Sequence, residues 1–211
     1  MQGRHIVITG GRGALGKGVC KVLETRGAIL HVAPDLPALR LDDEAQAAVF
    51  FAELPPIWAS IHLVGGFAMK PLADTTLADF EAQWRTNTVT CFLSCREAVR
   101  SMRKAGGGGR IVNVAARPVL APAANLTAYT AAKAGVAAIT QTLAAELAGE
   151  GILVNAVLPS VIDSPANRAA MPGADHASWP GPEQIAEAIA FLASPENTLT
   201  SGALLPVYGR A

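Results

Sequence analysis

The chain has 211 residues, of which 51% are hydrophobic and 16% are charged, and its 17 basic side chains balance its 17 acidic ones. This composition predicts one compact domain and excludes a disordered or fibrous chain. Because nucleic-acid binders normally carry a basic excess, the zero net charge argues against a nucleic-acid partner. No signal peptide, membrane-spanning run or disulfide framework is visible in the sequence. We therefore expect a soluble, cytoplasmic protein with no membrane partner.

Short apolar runs alternate with helical patterns along the chain. Strands are predicted at residues 6–8, 29–33, 39–41, 57–64, 111–114, 152–158 and 204–207. Helices are predicted at residues 13–26, 44–54, 76–105, 127–149 and 182–193, and the third is long enough to be two helices. About seven strands alternating with about six helices predict an α/β fold with a doubly wound parallel sheet, the Rossmann fold. Residues 1–211 are expected to form this single domain.

Residues 160–181 follow neither pattern. A loop of this length in a compact domain is usually functional or disordered. We predict that this segment covers the substrate within the nucleotide-binding domain.

A glycine-rich turn, Thr9-Gly10-Gly11-Arg12-Gly13-Ala14-Leu15-Gly16, follows the first predicted strand. Glycine suits a tight turn whose backbone must approach a pyrophosphate closely. The helix that follows presents free amides and a positive dipole end to an anion. A strand before the turn and a helix after it favour dinucleotide binding over an ordinary turn. The predicted cofactor contacts come from Gly10, Arg12, Ala14, Leu15 and Gly16, although Arg12 could simply face solvent.

The preference between NAD and NADP depends on the end of the second strand. An acidic side chain there hydrogen-bonds the ribose hydroxyls and repels a 2′-phosphate. Asp35 is the acid available, and no arginine precedes Arg40 in this segment. The sequence therefore favours NAD(H) over NADP(H). The alternative is that Asp35 is a turn residue between Pro34 and Pro37.

Tyr129 and Lys133 lie four residues apart on a predicted helix and therefore share one face. A nearby ammonium would stabilise the phenolate and lower the pKa of the tyrosine from about 10. Such a phenol could donate a proton to a substrate while a nicotinamide cofactor delivers hydride. The spacing is common by chance, so the pair needs support from other motifs.

With these motifs in order, the whole chain resembles the short-chain dehydrogenase/reductase family. The turn is similar to the family's T-G-x-x-x-G-x-G, with Ala14 in place of one glycine, and Tyr129 and Lys133 match Y-x-x-x-K. The resemblance implies an oxidoreductase acting on a small molecule. The catalytic residues that it implies are Tyr129, Lys133 and Asn87. The further cofactor contacts that it implies come from Asp42, Gly65, Lys133, Pro159 and Val161.

The family resemblance also implies a homodimer or homotetramer, formed through the helices near residues 85–105 and 127–149. No metal site is predicted. Cys91 and Cys95 share a helix face, but no histidine or cysteine stands at metal-ligand spacing from them, so they are interpreted as small core residues. Arg117, just after a predicted strand, is a candidate for substrate contact.

One position departs from the family pattern. The family's serine, thirteen residues before the tyrosine, is Ala116 here, and an alanine cannot provide oxyanion stabilisation worth about 3 kcal/mol. The dihydropteridine reductase-like branch also lacks this serine, and it is similar in the G-G-R-G-A-L-G turn and in residues 158–168. That likeness implies reduction of a quinonoid dihydropteridine or related conjugated substrate. The alternative is a catalytically silent nucleotide-binding or scaffolding protein, against which the retained Tyr129, Lys133 and Asn87 count.

Overall fold

The computed structural model describes residues 1–210, and Ala211, which the single-domain prediction included, lies outside the described residues. Within them, six strands form one sheet: β1 His5–Thr9, β2 Ile29–Val32, β3 Ala59–His62, β4 Gly109–Val114, β5 Ile152–Pro159 and β6 Leu204–Val207. The strand order is β2-β1-β3-β4-β5-β6, and every neighbouring pair is parallel. The predicted doubly wound parallel sheet is confirmed, with six strands rather than seven.

The helices of residues 1–210 are α1 Ala14–Thr25, α2 Glu44–Ala52, α3 Leu77–Trp84, α4 Thr90–Lys104, α5 Thr127–Glu146, α6 Pro165–Ala170 and α7 Pro182–Leu192. The predicted helix at 76–105 is thus two α-helices, joined by a π-helical turn at Arg85–Val89. A capping box between Thr76 and Asp79 begins α3. Among the helices of these 210 residues, none has both the length and the apolar character needed to cross a membrane.

The predicted strand at residues 39–41 is wrong, because the chain there forms no sheet hydrogen bonds and is irregular. Leu41 is nevertheless buried, in a small apolar cluster with Ala33, Ala47 and Leu93. The apolar residues of this run therefore reflect packing beneath α2, not strand formation.

Both faces of the sheet are covered by helices. Side chains of β1 alternate between them, so that Val7 packs with residues of α4 and α5 while Ile6 and Ile8 pack with residues of α1 and α7. Burial on both faces explains why the sequences of these strands are almost continuous apolar runs. The sheet is therefore a rigid platform, and functional groups are expected at its carboxyl edge.

The segment at residues 160–181 is more regular than its sequence suggested. It contains α6 and a 3₁₀ turn at His176–Ser178. The Ser164 hydroxyl caps α6 by accepting from the Asn167 amide at 3.2 Å, and Pro165 takes the first helical position. The cap and the proline were present in the sequence, but six residues are too few to show a helical period.

Candidate active site

The carboxyl ends of β1 and β3 meet where the strand order changes direction. Since β2 lies on one side of β1 and β3 on the other, this edge is the topological switch point at which doubly wound sheets bind ligands. Gly10 follows β1 with a φ of +69°, and a Cβ there would lie 2.9 Å from the Leu63 carbonyl carbon and from the Val64 nitrogen. Glycine is therefore required for the two strand ends to pack backbone against backbone.

The predicted glycine-rich turn folds back on itself before α1. A Cβ on Gly16 would overlap the Gly10 carbonyl oxygen and lie 2.5 Å from the carbonyl carbon of Gly11. Gly13 is the N-cap residue, and no side chain of residues 1–210 caps this end of α1. Its free amides and the helix dipole can hold an anion such as a pyrophosphate. The turn therefore fits a dinucleotide.

The other residues predicted to contact the cofactor in this turn differ in exposure. Arg12 and Ala14 are exposed at the surface. Leu15 is 9% exposed and packs in the core with α7 residues. A contact from Leu15 to a cofactor would therefore have to come from its backbone amide.

The two acids predicted to bind the adenosine half lie in different surroundings. Asp35 is exposed and comes three residues after β2 ends. Asp42 accepts hydrogen bonds from Arg40 Nε at 3.2 Å and Nη2 at 2.9 Å, and Arg85 Nη1 lies 3.7 Å from it. The hydrogen bonds from Arg40 lower the pKa of Asp42. Asp42 is thus already ion-paired, whereas Asp35 is open to solvent.

Asn87 fixes the chain just after β3. It is 1% exposed and sits in the π-helical turn, a feature that is frequent at functional sites. Its Nδ2 donates to the carbonyls of Gly66 at 3.1 Å and Gln83 at 2.9 Å, and its Oδ1 accepts from the Gly66 amide at 3.2 Å. A Cβ on Gly65 would lie 2.7 Å from Asn87 Oδ1 and 3.0 Å from Lys133 Nζ. Three of the predicted residues therefore converge on one point.

Lys133 lies on α5 with only 6% of its surface exposed. Its Nζ donates to the carbonyl oxygen of Val114, at the end of β4, at 2.8 Å. Burial disfavours the charged ammonium and lowers the pKa of Lys133 from 10.5 to about 8. The side chain is therefore fixed at the carboxyl edge of the sheet and can change charge at mildly alkaline pH.

Tyr129 lies one helical turn earlier on α5 and is half-buried. Its ring packs edge-on against Phe67, with the ring centroids 5.0 Å apart. Burial raises the pKa of Tyr129 to about 12. The prediction that Lys133 lowers this pKa is therefore wrong, since desolvation dominates and the ammonium donates to Val114. At neutral pH the phenol is protonated, which is the form that donates a proton.

The low pKa of Lys133 predicts an unusual pH dependence of stability. Between pH 7.5 and 9.5 the unfolded chain retains the lysine proton while the folded protein releases it, so the free energy of unfolding should rise by about 2 kcal/mol from this group. Urea unfolding at both pH values measures the change. Lys133→Met should remove this increment, whereas Lys104→Met, at an exposed position, should retain it. An identical pH slope in Lys133→Met and the wild type would contradict the account.

The ends of β4 and β5 complete this edge of the sheet. Ala116, the position of the missing serine, is 5% exposed and offers no hydroxyl. Pro159 is buried and ends β5, and Val161 is partly buried beyond it. The hydroxyl of Ser160 donates to the Tyr208 carbonyl at 2.8 Å. Pro159 and Val161 thus lie at the same edge of the sheet as the ends of β1, β3 and β4.

Behind the site lies a buried polar cluster that sequence spacing did not reveal. His62, on β3, places its Nδ1 3.5 Å from Cys95 Sγ, and Cys91 Sγ lies 4.0 Å from that of Cys95. The two cysteines are buried core residues as predicted, and the fold brings His62 to them although no histidine stands at metal-ligand spacing in the sequence. Both nitrogens of His62 already have partners, Asn113 Oδ1 at 2.8 Å and the Ser60 hydroxyl at 2.8 Å, so we assign the cluster a packing role. Polar residues within a strand buried on both faces were the available signal.

Comparison with known proteins gives consistent results over nearly the whole chain. Residues 2–209 match a family model described as enoyl-(acyl carrier protein) reductase. The cis-4-hydroxycyclohexanecarboxylate dehydrogenase of Sinomonas cyclohexanicum is 32% identical over 242 aligned positions, covering 98% of this chain and 95% of that protein. The D-threitol dehydrogenase of Mycolicibacterium smegmatis is 27% identical, covering 99% and 93% respectively. A solved structure described as ElxO with NADP bound has a TM-score of 0.90 at 21% identity, covering 99% of this chain and 98% of that one.

Proposed function

Since this chain belongs to the short-chain dehydrogenase/reductase family of oxidoreductases, we propose that it transfers hydride between a nicotinamide cofactor and a small molecule, with Tyr129 as proton donor. The observation that carries the proposal is the convergence of Gly65, Asn87 and Lys133 one helical turn from Tyr129. A buried lysine ammonium costs folding energy. A scaffolding protein would gain nothing from that cost, so the catalytically silent alternative is disfavoured.

The residues at the carboxyl edge of the sheet would hold the cofactor. The uncapped amino terminus of α1 would bind the pyrophosphate, and glycine at position 65 lets the backbone after β3 approach Lys133 closely. Pro159 and Val161, at the end of β5, would line the nicotinamide side of the cleft. When bound, the cofactor supplies or accepts the hydride. The remaining chemistry falls to the protein's own side chains.

Tyr129 handles the proton in this proposal. With its pKa raised to about 12 by burial, the hydroxyl is protonated at neutral pH and donates to the oxygen or nitrogen that receives negative charge. Lys133, whose Nζ donates to the Val114 carbonyl, would hold the cofactor side of the site in place and does not lower the pKa of Tyr129. Asn87 forms hydrogen bonds with the amide and the carbonyl of Gly66. We therefore propose that it positions the chain after β3 and does not itself exchange a proton.

Two substrate classes remain for this site. The buried Ala116 offers no donor for an oxyanion, which supports a conjugated acceptor such as a quinonoid dihydropteridine, whose ring can take hydride without forming an alkoxide. The second candidate is a secondary alcohol and its ketone. It is favoured by the relatives, which are named dehydrogenases of a hydroxycyclohexanecarboxylate and of D-threitol.

A cofactor and substrate screen tests the proposed function. NADH and NADPH oxidation would be followed with quinonoid dihydropteridine, quinones and ketones, and NAD⁺ and NADP⁺ reduction with secondary alcohols. We expect turnover with at least one substrate class. Tight dinucleotide binding without turnover of any of them would support the silent nucleotide-binding alternative instead.

We propose NAD(H) over NADP(H), although a solved structure of the same fold holds NADP. The guanidinium of Arg40 is already bound by Asp42 through two hydrogen bonds, so it is poorly available to a 2′-phosphate. Asp35, exposed after β2, would repel that phosphate. Asp35→Asn is therefore expected to raise kcat/KM for NADPH relative to NADH by about tenfold. Glu53→Gln removes an exposed charge far from this turn in sequence and should leave the ratio of kcat/KM for NADPH and NADH unchanged. A wild-type preference for NADPH would contradict this assignment.

A further inference from the structure

Arg117 carries a charge that no acid in the described part of the chain balances. It is half-buried and begins a 3₁₀ turn, Arg117–Val119, directly after Ala116. Its guanidinium carbon lies 5.1 Å from the centroid of the Tyr208 ring. Within residues 1–210, no carboxylate oxygen lies within 4.0 Å of its nitrogens, and none of its five N–H groups has a hydrogen-bond partner. The N–H groups of this half-buried guanidinium are therefore available to an anionic ligand.

The position of Arg117 places that ligand on the substrate side of the site. The 3₁₀ turn packs against α5, the helix that carries Tyr129 and Lys133. On the other side, the Tyr208 carbonyl accepts from the hydroxyl of Ser160, the first residue of the 160–181 segment. Arg117 therefore lies between the helix of the proton donor and the segment predicted to cover the substrate.

The acids of that segment do not supply a partner for Arg117. Asp163 accepts from Arg168 Nε at 2.5 Å and Nη2 at 2.7 Å. Asp175 accepts from the backbone amide of Ala177 at 3.1 Å. Both carboxylates therefore accept hydrogen bonds from groups within residues 160–181. The cation–π contact with Tyr208 meanwhile leaves the N–H groups of the guanidinium without hydrogen-bond partners.

We propose that Arg117 binds a carboxylate group of the substrate, which makes the natural substrate a hydroxy- or oxo-carboxylic acid. The planar guanidinium can donate two parallel hydrogen bonds to such a group, which fixes its orientation as well as its position. The inference rests on the proposed function, because the reacting carbon must then lie toward Tyr129. It favours the alcohol and ketone class over the dihydropteridine class.

Calorimetric titration with unreactive probes tests the inference without requiring turnover. Cyclohexanecarboxylate and butyrate would be compared with their neutral carboxamides, in the presence of saturating dinucleotide. We expect the wild type to bind at least one carboxylate about tenfold more tightly than its amide. Arg117→Ala should abolish this preference and Arg117→Lys should retain part of it. Arg26→Ala, at an exposed arginine that pairs with Glu187, should behave as the wild type.

Arg117→Met keeps most of the side-chain packing, so it serves if Arg117→Ala fails to fold. Equal affinities for acid and amide in the wild type, no detectable binding of either carboxylate, or a preference that survives in Arg117→Met would each overturn the inference. Failure of the proposed function can be distinguished from failure of the carboxylate inference. An Arg117-dependent preference without any turnover would contradict the oxidoreductase proposal alone, whereas turnover of neutral alcohols without the preference would contradict the carboxylate inference alone.

Discussion

Replacing Tyr129 with phenylalanine is expected to lower kcat by about 100- to 10,000-fold while leaving the Kd for the dinucleotide within about twofold. The ring would still pack against Phe67, so the substitution removes the hydroxyl and little else. Burial keeps this phenol protonated at neutral pH, so the substitution removes the proton that we propose is transferred to the substrate. Steady-state kinetics and a fluorescence titration of NADH measure the two quantities.

The titration serves as the control for folding and for cofactor binding. If kcat and dinucleotide affinity fell together, the substitution would have damaged the cleft. Tyr129→Trp also lacks the phenol hydroxyl, so it would not separate these two effects. Wild-type turnover in Tyr129→Phe would remove Tyr129 from the mechanism, and the proton would then have to come from another group or from water.

A second large effect is expected in the glycine-rich turn, where Gly16→Ala should weaken dinucleotide binding by about 100-fold or more. The added Cβ would overlap the Gly10 carbonyl oxygen, which is backbone and cannot rotate away. The start of α1 would have to move, and its free amides would move with it. NADH titration measures the loss, and far-UV circular dichroism shows whether the fold is retained.

Gly13→Ala is the matched control for this prediction. Gly13 has a φ of −69°, which any residue adopts, and its Cβ would lie 3.5 Å from the Gly10 oxygen, an ordinary contact. We therefore expect its NADH affinity to stay within about threefold of the wild type. Similar NADH affinities in Gly16→Ala and Gly13→Ala would show that the turn does not hold the pyrophosphate.

The sheet could be predicted from the sequence because its signal is local. Strands buried on both faces are short apolar runs, and the glycine turn after β1 marks the first strand-to-helix junction. The error at residues 39–41 has the same origin, since Leu41 is apolar for its packing with Ala33 and Leu93 and not for pairing in a sheet. A short apolar run does not distinguish these two cases.

The site was less predictable, because its properties depend on residues far apart in the chain. The spacing of Tyr129 and Lys133 places them on one face of α5. It does not show that the Val114 carbonyl accepts a hydrogen bond from Lys133, or that burial governs the pKa values of both side chains. In the same way, His62 meets Cys95 only because β3 lies against α4. Tertiary burial and contacts between distant elements therefore decide the electrostatics of this site.

The most direct test of the account is an experimental structure of the protein with a bound nicotinamide dinucleotide. We predict that the pyrophosphate lies over the amino terminus of α1, between Gly10 and Gly16. The nicotinamide should lie beside Lys133, with the Tyr129 hydroxyl facing the substrate side of its ring. A dinucleotide bound elsewhere, or a Tyr129 hydroxyl directed away from the nicotinamide, would contradict the central claim.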